Sequence, residues 1–403
     1  MKFMNVKNII ISITVLLTAV SGQTTYNVSG VVELEDQTGS SADHSGVKVK
    51  FYNLPSMVAE DSTTSASTGA YSINISPGYY LVEWTKTGYV PWELGGLVLT
   101  ANTVLEDVTM IPGSVQEVSG TINTTTWTTG YVYYVTDDIT VPSGQTLTIN
   151  AGVRVKFSSG KGMTVNVNGT LIANGTASSR IIFTSRESVP APGDWDRIYM
   201  YGTNNQLSYF DYLYAANSLR VDGSSAATNT TIDNGYFANL GPEAYGIYMY
   251  YGGGETISNN NITVAGSNRA IYSSHSHNIS IIGNTINAEY GIDIPNATGI
   301  YIDSNSIEAE YYGIRYDQSG ENGRGGKISN NTITGMLKEY GIYSQPNYAH
   351  GDTIINNSIH RTETPEDCCW GTYFIRSENS WGIRNDSLGV IKGNTILYDD
   401  STL

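Results

Sequence analysis

Cysteine is nearly missing from this chain: there are two in 403 residues, and they are neighbours, Cys368-Cys369. Adjacent cysteines bridge only through a strained ring, so no disulfide framework of the kind that braces small secreted domains is available. Stability must come from a packed core. Charge is scarce too, at 14% of residues, and basic charge is scarcest, with 21 Lys and Arg against 37 Asp and Glu and a net charge of −16. So acidic a surface repels nucleic acid and anionic membranes while tolerating cations such as Ca²⁺. Neutral glycans are easier partners for it than polyanionic ones, unless a local basic strip or a bridging metal intervenes. Long apolar runs are absent apart from Ile9 to Val20, which follows Lys2 and Lys7 and leads into Val20-Ser21-Gly22 before a cut at Gln23. That run is too short for a membrane span and no second one follows, so residues 1–22 read as a secretory signal peptide and the protein as secreted or displayed at the cell surface. No Cys stands at the cut, which argues against a bacterial lipid anchor.

Gly (43 residues) and Tyr (30 residues) are plentiful, set with Asn and Thr between short Ile and Val stretches, a composition of extracellular β-rich proteins. In the second half one phrase keeps returning, an aromatic-Gly-Ile opening followed by an Asn-x-Ile closing. It reads Tyr245-Gly246-Ile247 with Asn260-Asn261-Ile262, Tyr290-Gly291-Ile292 with Asn305-Ser306-Ile307, and Tyr312-Gly313-Ile314 with Asn331-Thr332-Ile333. It returns as Tyr340-Gly341-Ile342 with Asn357-Ser358-Ile359 and as Trp381-Gly382-Ile383 with Asn394-Thr395-Ile396, and a degenerate copy pairs Arg269-Ala270-Ile271 with Asn284-Thr285-Ile286. Successive Asn-x-Ile phrases are 24, 21, 26, 26 and 37 residues apart. A period in the twenties means a solenoid whose coils bury their apolar faces by stacking on one another. The Ile residues then form core ladders, and the Asn side chains offer amides to the coils above and below.

Two domains are expected, residues 23–113 and 114–403, both all-β. In the first, short alternating strands begin at Val28, Val47, Tyr71, Tyr80 and Val104, as in a two-sheet β-sandwich. Gly30-Val31-Val32, Gly46-Val47-Lys48-Val49, Thr68-Gly69-Ala70-Tyr71-Ser72-Ile73, Pro77-Gly78-Tyr79-Tyr80 and Gly88-Tyr89 resemble the carboxypeptidase regulatory-like domain, a transthyretin-like sandwich. The resemblance implies a non-catalytic accessory module, with Gly69 and Gly78 expected at positive φ.

The second domain opens with Ile139-Thr140-Val141-Pro142-Ser143-Gly144-Gln145-Thr146-Leu147-Thr148-Ile149, then Ala151 to Phe157, Gly169 to Thr176, Ile181 to Ser185 and Gly193 to Ile198. In that order these segments resemble the right-handed parallel β-helix proteins of bacterial surfaces, within the pectate-lyase-like superfamily. Alternation agrees: Val153, Val155 and Phe157 face inward against Arg154 and Lys156, and Met163, Val165 and Val167 inward against Thr164 and Asn166. The chain stops seven residues after Ile396 with no recognisable closing segment, which reads as an unusual cap or a fragment of a longer protein.

Aligning the coils on Gly-Ile puts Tyr248, Tyr272, Asp293, Arg315, Tyr343 and Arg384 in one outward column. Aromatic rings interleaved with charges suit a sugar chain, rings covering apolar sugar faces while Asp and Arg meet hydroxyls; the alternative is a β-surface bearing an Asp293–Arg315 ion pair. Tyr245, Arg269, Tyr290, Tyr312, Tyr340 and Trp381 precede the glycines as corner packing. Glu289, Glu308 and Glu310 cluster near Asp293, Arg315 and Lys338, so a Ca²⁺ site beside a basic residue, as a polysaccharide lyase needs, is a second reading; solvated glutamates are the plain one. His275 and His277 alternate on one strand as a possible metal pair without a third ligand. The polygalacturonase Gly-His-Gly and the pectate-lyase Arg-x-Pro-x-x-Arg phrases are missing, since Ala349 precedes His350-Gly351 and Asp137-Asp138 comes before the coils. The segment from Arg361 to Ser380 interrupts the repeat as a loop, with Cys368-Cys369-Trp370 at its middle. No catalytic set is identified. The expected function is a glycan-binding or adhesive surface β-helix with no resident cofactor; the alternatives are a lyase or hydrolase using Glu289, Asp293, Glu310 and Arg315, or a structural segment of a larger surface protein.

Overall fold

The computed structural model describes residues 25–53, 56, 58–187, 190–223, 228–266, 268–318, 325–345, 352–362, 373–377 and 390–398. The expected signal-peptide segment, the Cys368-Cys369-Trp370 motif, His350-Gly351, and the Trp381-Gly382-Ile383 phrase with Arg384 lie outside these residues. The chain divides into two units at Pro112 and Gly113.

The first unit is a β-sandwich of two four-stranded sheets. One sheet centres on Tyr26–Leu34, paired with Ala70–Ile75 on one side and with Thr103–Val104 and Val108–Met110 on the other. The other runs Val58–Thr64, Lys48–Asn53, Gly78–Thr85, Trp92–Leu99, all antiparallel. Alternate residues Val28, Val32, Val47, Val49, Phe51, Val82 and Trp84 point into one core, as a period of two requires. Burial pushes the Tyr71 hydroxyl up to about 12. The expected single strand from Val104 to Met110 is two short strands. Gly69 has a φ of 80°, and a Cβ there would come within 2.3 Å of the Val32 carbonyl oxygen. Gly78 differs from expectation: it is not among the positive-φ glycines, and its lack of a Cβ instead makes room for the Tyr80 ring.

The second unit is a parallel β-helix in which each coil gives one strand to each of three ladders. The first ladder has eleven strands, from Thr125–Trp127 through Thr231–Asp233 and Ser280–Ile282 to Val390–Lys392. A second stacks Asn261–Thr263 on the start of Thr285–Ala297, then Ser306–Gln318, Thr332–Gly335 and Ser358–Arg361. A third stacks Ile198–Met200, Leu219–Asp222, Ile247–Tyr250 and Arg269–Ser274, then the later parts of Thr285–Ala297 and Ser306–Gln318, then Tyr340–Gln345. Strand-to-strand crossovers of this kind are right-handed.

Each ladder contributes an inward column: Ile232, Ile257, Ile281, Ile302, Ile328 and Ile354; Ile262, Ile286, Ile307, Ile333 and Ile359; and Ile247, Ile271, Ile292, Ile314 and Ile342, all buried. Each Ile removed from water stabilises by about 1.5–3 kcal/mol, so the columns supply most of the driving force. Upstream the core is aromatic, with Phe157 stacked on Trp195 at 4.2 Å. Val153, Val155, Phe157, Met163 and Val165 are buried as expected, but Val167 is 52% exposed because its strand ends at Val165 and Asn168 turns the chain at a φ of 60°.

The Asn column forms a continuous amide ladder. The Asn284 backbone N–H and Nδ2 both donate to Asn305 Oδ1 at 2.9 Å, and the Asn305 pair donates likewise to Asn331 Oδ1 at 3.0 and 2.9 Å. The spare Nδ2 capacity goes to backbone carbonyls such as that of Ile281, so these buried amides are satisfied. The residue before each ladder position, Asn259, Gly283, Ser304, Asn330, Asn356 or Gly393, is left-handed with φ between 54° and 68°. Gly and Asn tolerate that turn best, which explains why they recur there.

The sequence alignment of the last repeat is corrected by the strand register. Tyr340 and Ile342 pair with Tyr373 and Ile375, so Tyr373-Phe374-Ile375 stands where Trp381-Gly382-Ile383 was expected, and Arg376 rather than Arg384 follows Tyr343. Strand Tyr373–Ser377 also falls inside the expected loop from Arg361 to Ser380. Glycine is not required at the middle of the phrase, which is why matching on Gly-Ile slipped by eight residues.

Candidate functional site

The outward face of the third ladder carries the residues singled out from sequence. Tyr248 pairs in register with Tyr272, Tyr272 with Asp293, Asp293 with Arg315 and Arg315 with Tyr343, one per coil. The column also extends upstream through Arg220 to Tyr199, which the Gly-Ile alignment missed. A signal was present: Ile198-Tyr199-Met200, Leu219-Arg220-Val221 and Ile247-Tyr248-Met249 share an apolar-outward-apolar triplet without the glycine.

Arg220 lies between two rings, its guanidinium 4.7 Å from the Tyr199 centroid and 4.6 Å from that of Tyr248. It also pairs with Asp222 at 3.4 Å, and Asp222 accepts the Tyr199 hydroxyl at 2.9 Å. Burial, with hydrogen bonds to Tyr201 and Asp222, holds the Tyr199 phenol well above its ordinary value. Tyr248 and Tyr272 sit 5.2 Å apart and tilted by 51°, and Tyr245 lies 5.2 Å from Tyr272 at 41°. These half-buried rings are tilted against their neighbours, so edges, hydroxyls and part of each face remain available to a ligand. The ring contacts continue along the strand, from Tyr248 to Tyr250 at 6.3 Å, Tyr250 to Tyr251 at 4.4 Å and Tyr251 to His275 at 4.8 Å.

Asp293 departs from the expectation of an outward, ligand-facing carboxylate. Its side chain is 1% exposed, covered by Arg269 Nε at 2.5 Å, the Tyr312 hydroxyl at 2.7 Å and Arg315 at 3.8 Å. Burial works against the Arg269 charge, but the hydrogen bond to Asp293 and the charges of Tyr312, Asp293 and Tyr245 together outweigh it and the guanidinium pKa is raised. Arg269 also lies over the rings of Tyr245, Tyr272 and Tyr290, at 5.8, 5.5 and 5.2 Å. Tyr312 is buried as corner packing, and its hydroxyl is pushed up first by burial and then by the Asp293 charge.

The acidic group is dispersed by its partners. Between Ala309 and Tyr312 the coil holds one more residue than between Ala288 and Tyr290, so Glu289 and Glu310 straddle a register shift. Glu310 pairs with Lys338 at 2.5 Å, and the Lys338 amine is pushed up chiefly by that hydrogen bond, opposite to what a base would need. Glu308 accepts from Asn287 on the exposed side. His275 and His277 do not share a strand: Arg269–Ser274 ends before them, and His275 turns at a φ of 57°. Among the described residues no group of three or more His, Cys, Asp or Glu could hold a metal ion. No helix among them is long and apolar enough to cross a membrane.

One buried carboxyl had no signal in the sequence. Glu255 is 1% exposed; its Oε1 accepts from the Gly253 N–H at 2.7 Å and from the Thr228 hydroxyl, while Oε2 has no hydrogen-bond partner. Burial pushes its pKa up. It follows three glycines and precedes a strand, a context that looks like a turn until the coil closes over it.

Residues 120–216 match the family described as pectate-lyase-like β-helix domain, and residues 224–402 match the periplasmic copper-binding protein (NosD) family. No curated protein matches the chain. Among solved structures, a type II cohesin–X-dockerin complex from Acetivibrio cellulolyticus is similar at 24% identity over 22% of this chain and 58% of that one, with a TM-score of 0.20. The chain thus spans less than two thirds of that protein. DFA-IIIase from Arthrobacter chlorophenolicus A6 in complex with GF2 aligns over 64% of this chain and 77% of its own at 13% identity and a TM-score of 0.41. The catalytic domain of a GH87 α-1,3-glucanase in complex with nigerose aligns over 94% and 88%, at 11% and 0.29. By its strand register the second unit is a right-handed parallel β-helix, similar over residues 120–216 to the pectate-lyase-like β-helix domain and over residues 224–402 to the NosD family.

Proposed function

We propose that this chain is a secreted glycan-binding or adhesive β-helix that binds without turnover, and that its sandwich is an accessory module. The observation that carries this is the outward series Tyr199, Arg220, Tyr248, Tyr272, one side chain per coil at the strand spacing of about 4.8 Å. Rings held at fixed spacing cover the apolar sides of sugars at small entropic cost, and phenol hydroxyls and Arg220 meet sugar hydroxyls. Arg220 with Asp222, and Arg269 with Asp293, already form ion pairs, which favours a neutral glycan over an acidic one.

The second reading is a polysaccharide lyase or glycoside hydrolase working through Glu289, Asp293, Glu310 and Arg315, with Ca²⁺. The burial of Asp293 and the pairing of Glu310 with Lys338 weigh against it. A third reading is a structural segment of a larger surface protein. Mature protein incubated with a polysaccharide panel, with and without Ca²⁺, separates them when reducing and unsaturated ends are followed beside direct binding. Binding without new ends, lost in Tyr248→Ala, is the expected result. Turnover abolished by Glu310→Ala or Arg315→Ala would establish the second reading, and no binding at all the third.

A further inference from the structure

On that glycan-binding reading, we propose that the sugar chain does not run down the axial column to Tyr343 but leaves it at Tyr248 and crosses onto Tyr250, Tyr251 and His275. The ring network itself branches there, since Tyr248 touches Tyr250, Tyr250 touches Tyr251, and both Tyr250 and Tyr251 contact His275 on the next coil, at 5.9 and 4.8 Å. Along a strand each residue advances about 3.3 Å, so Tyr248 to Tyr250 adds roughly 7 Å of aromatic surface to the axial stretch from Tyr199 before the corner at Tyr251.

Downstream the axial route is blocked. One coil beyond Tyr272, Asp293 occupies the column and is buried under Arg269, whose guanidinium lies over Tyr245, Tyr272 and Tyr290. A sugar passing there would have to displace a charge-assisted hydrogen bond that already holds a buried carboxylate. The Arg269–Asp293 pair therefore bounds the footprint rather than touching the ligand.

The shelf also carries an unusual backbone. Tyr251 and His275 have left-handed φ of 49° and 57°, and they occupy the same corner in successive coils, because the Tyr251 N–H donates to the Ser274 carbonyl and the His275 N–H to that of Pro295. The next coil places Asn296 there with a φ of 57°, the residue type that tolerates this conformation. Tyr251 and His275 thus place rings, with Tyr251 37% exposed, at a corner whose conformation Asn fills more cheaply, so the turn itself does not require them.

Tyr251→Asn and His275→Asn test this, since Asn suits the left-handed corner and leaves folding intact, which a thermal melt checks. Titration of full-length mature protein with neutral glucose and xylose hexasaccharides, and with polygalacturonate as the acidic comparison, is expected to show at least tenfold weaker neutral binding for either variant. Tyr343→Ala is expected to stay within twofold of the parent. A Tyr343→Ala loss as large as that of Tyr251→Asn, or wild-type affinity in both Asn variants, overturns the crossing path. In either case loss in Tyr248→Ala would leave the glycan-binding function standing. Tighter binding of polygalacturonate overturns the neutral class, and no binding of any probe by the parent overturns both readings.

Discussion

The inside and the outside of the same coils obey opposite rules. Inward, Ile247, Ile271, Ile292, Ile314 and Ile342 repeat one residue five times, and Asn260, Asn284, Asn305, Asn331 and Asn357 repeat another. Each position packs against its own copy one coil away, so the best partner for Ile is Ile and the best partner for a buried amide is the same amide. Outward, the in-register column reads Tyr199, Arg220, Tyr248, Tyr272, Asp293, Arg315, Tyr343. Changes there come in compensating pairs: Arg269 replaces an aromatic in the corner column one coil before Asp293 replaces one in the face column, and the two hydrogen-bond. Repetition therefore marks what the fold needs, and departure from it marks where the coils differ in what they offer a partner.

The contrast is broken most severely from inside. Asn305→Ala takes the side-chain acceptor from the Asn284 backbone N–H and one donor from the Ile281 carbonyl, while the Asn284 amide keeps the Ile257 and Ile282 carbonyls and the Asp303 carbonyl keeps the Gly283 N–H. With about 1–3 kcal/mol for the orphaned buried N–H and a similar amount for the void and weakened amide contacts left by the missing side chain, a loss on the order of 4 kcal/mol is expected in urea unfolding. A loss under about 1 kcal/mol would mean the ladder is ornamental. Next comes Arg269→Ala, which leaves Asp293 a buried carboxylate with less compensation and is expected to cost about 3 kcal/mol. Changing both to Tyr, Arg269→Tyr with Asp293→Tyr, restores the aromatic pattern of the other coils and is expected to recover most of that loss. Failure to recover would show that the pair is not a compensated substitution.

A smaller effect concerns pH. The folded-state pKa of Glu255 is raised by burial above its ordinary 4.5, so the folded chain holds that proton more tightly than the unfolded one. Its contribution to stability is complete below pH 4.5 and is lost as pH rises through the raised value. Glu255→Gln is expected to flatten the pH dependence of the melting temperature over that window and to raise the melting temperature above it; an unchanged profile would remove Glu255 from the account. Smallest of all is Lys338→Ala, which removes a partly exposed, salt-screened pair with Glu310 and is expected to leave the urea midpoint unchanged within error.

Much of the candidate face was legible in advance, because an in-register repeat converts sequence spacing directly into spatial neighbours. Tyr248, Tyr272, Asp293, Arg315 and Tyr343 could be lined up from the Ile after each glycine, and the strands stack them in that order. The same device failed where its marker lapsed. Arg220 and Tyr199 carry no Gly-Ile phrase, and Tyr373-Phe374-Ile375 lacks the glycine that Trp381-Gly382-Ile383 has. Asp293 illustrates a different limit: its position was readable, but its burial depends on an arginine one coil back folding over it.

By itself, then, the sequence determined the coil: period, inward isoleucines, amide ladder and the left-handed residue before each ladder position all follow from local pattern and self-stacking. Only the tertiary structure decided which outward groups meet a ligand and which meet each other. That Arg269 covers Asp293, that Tyr251 lies on His275, and that Glu255 is sealed from water are contacts between coils some twenty or more residues apart. Their distances depend on rotamers and turns that no period specifies.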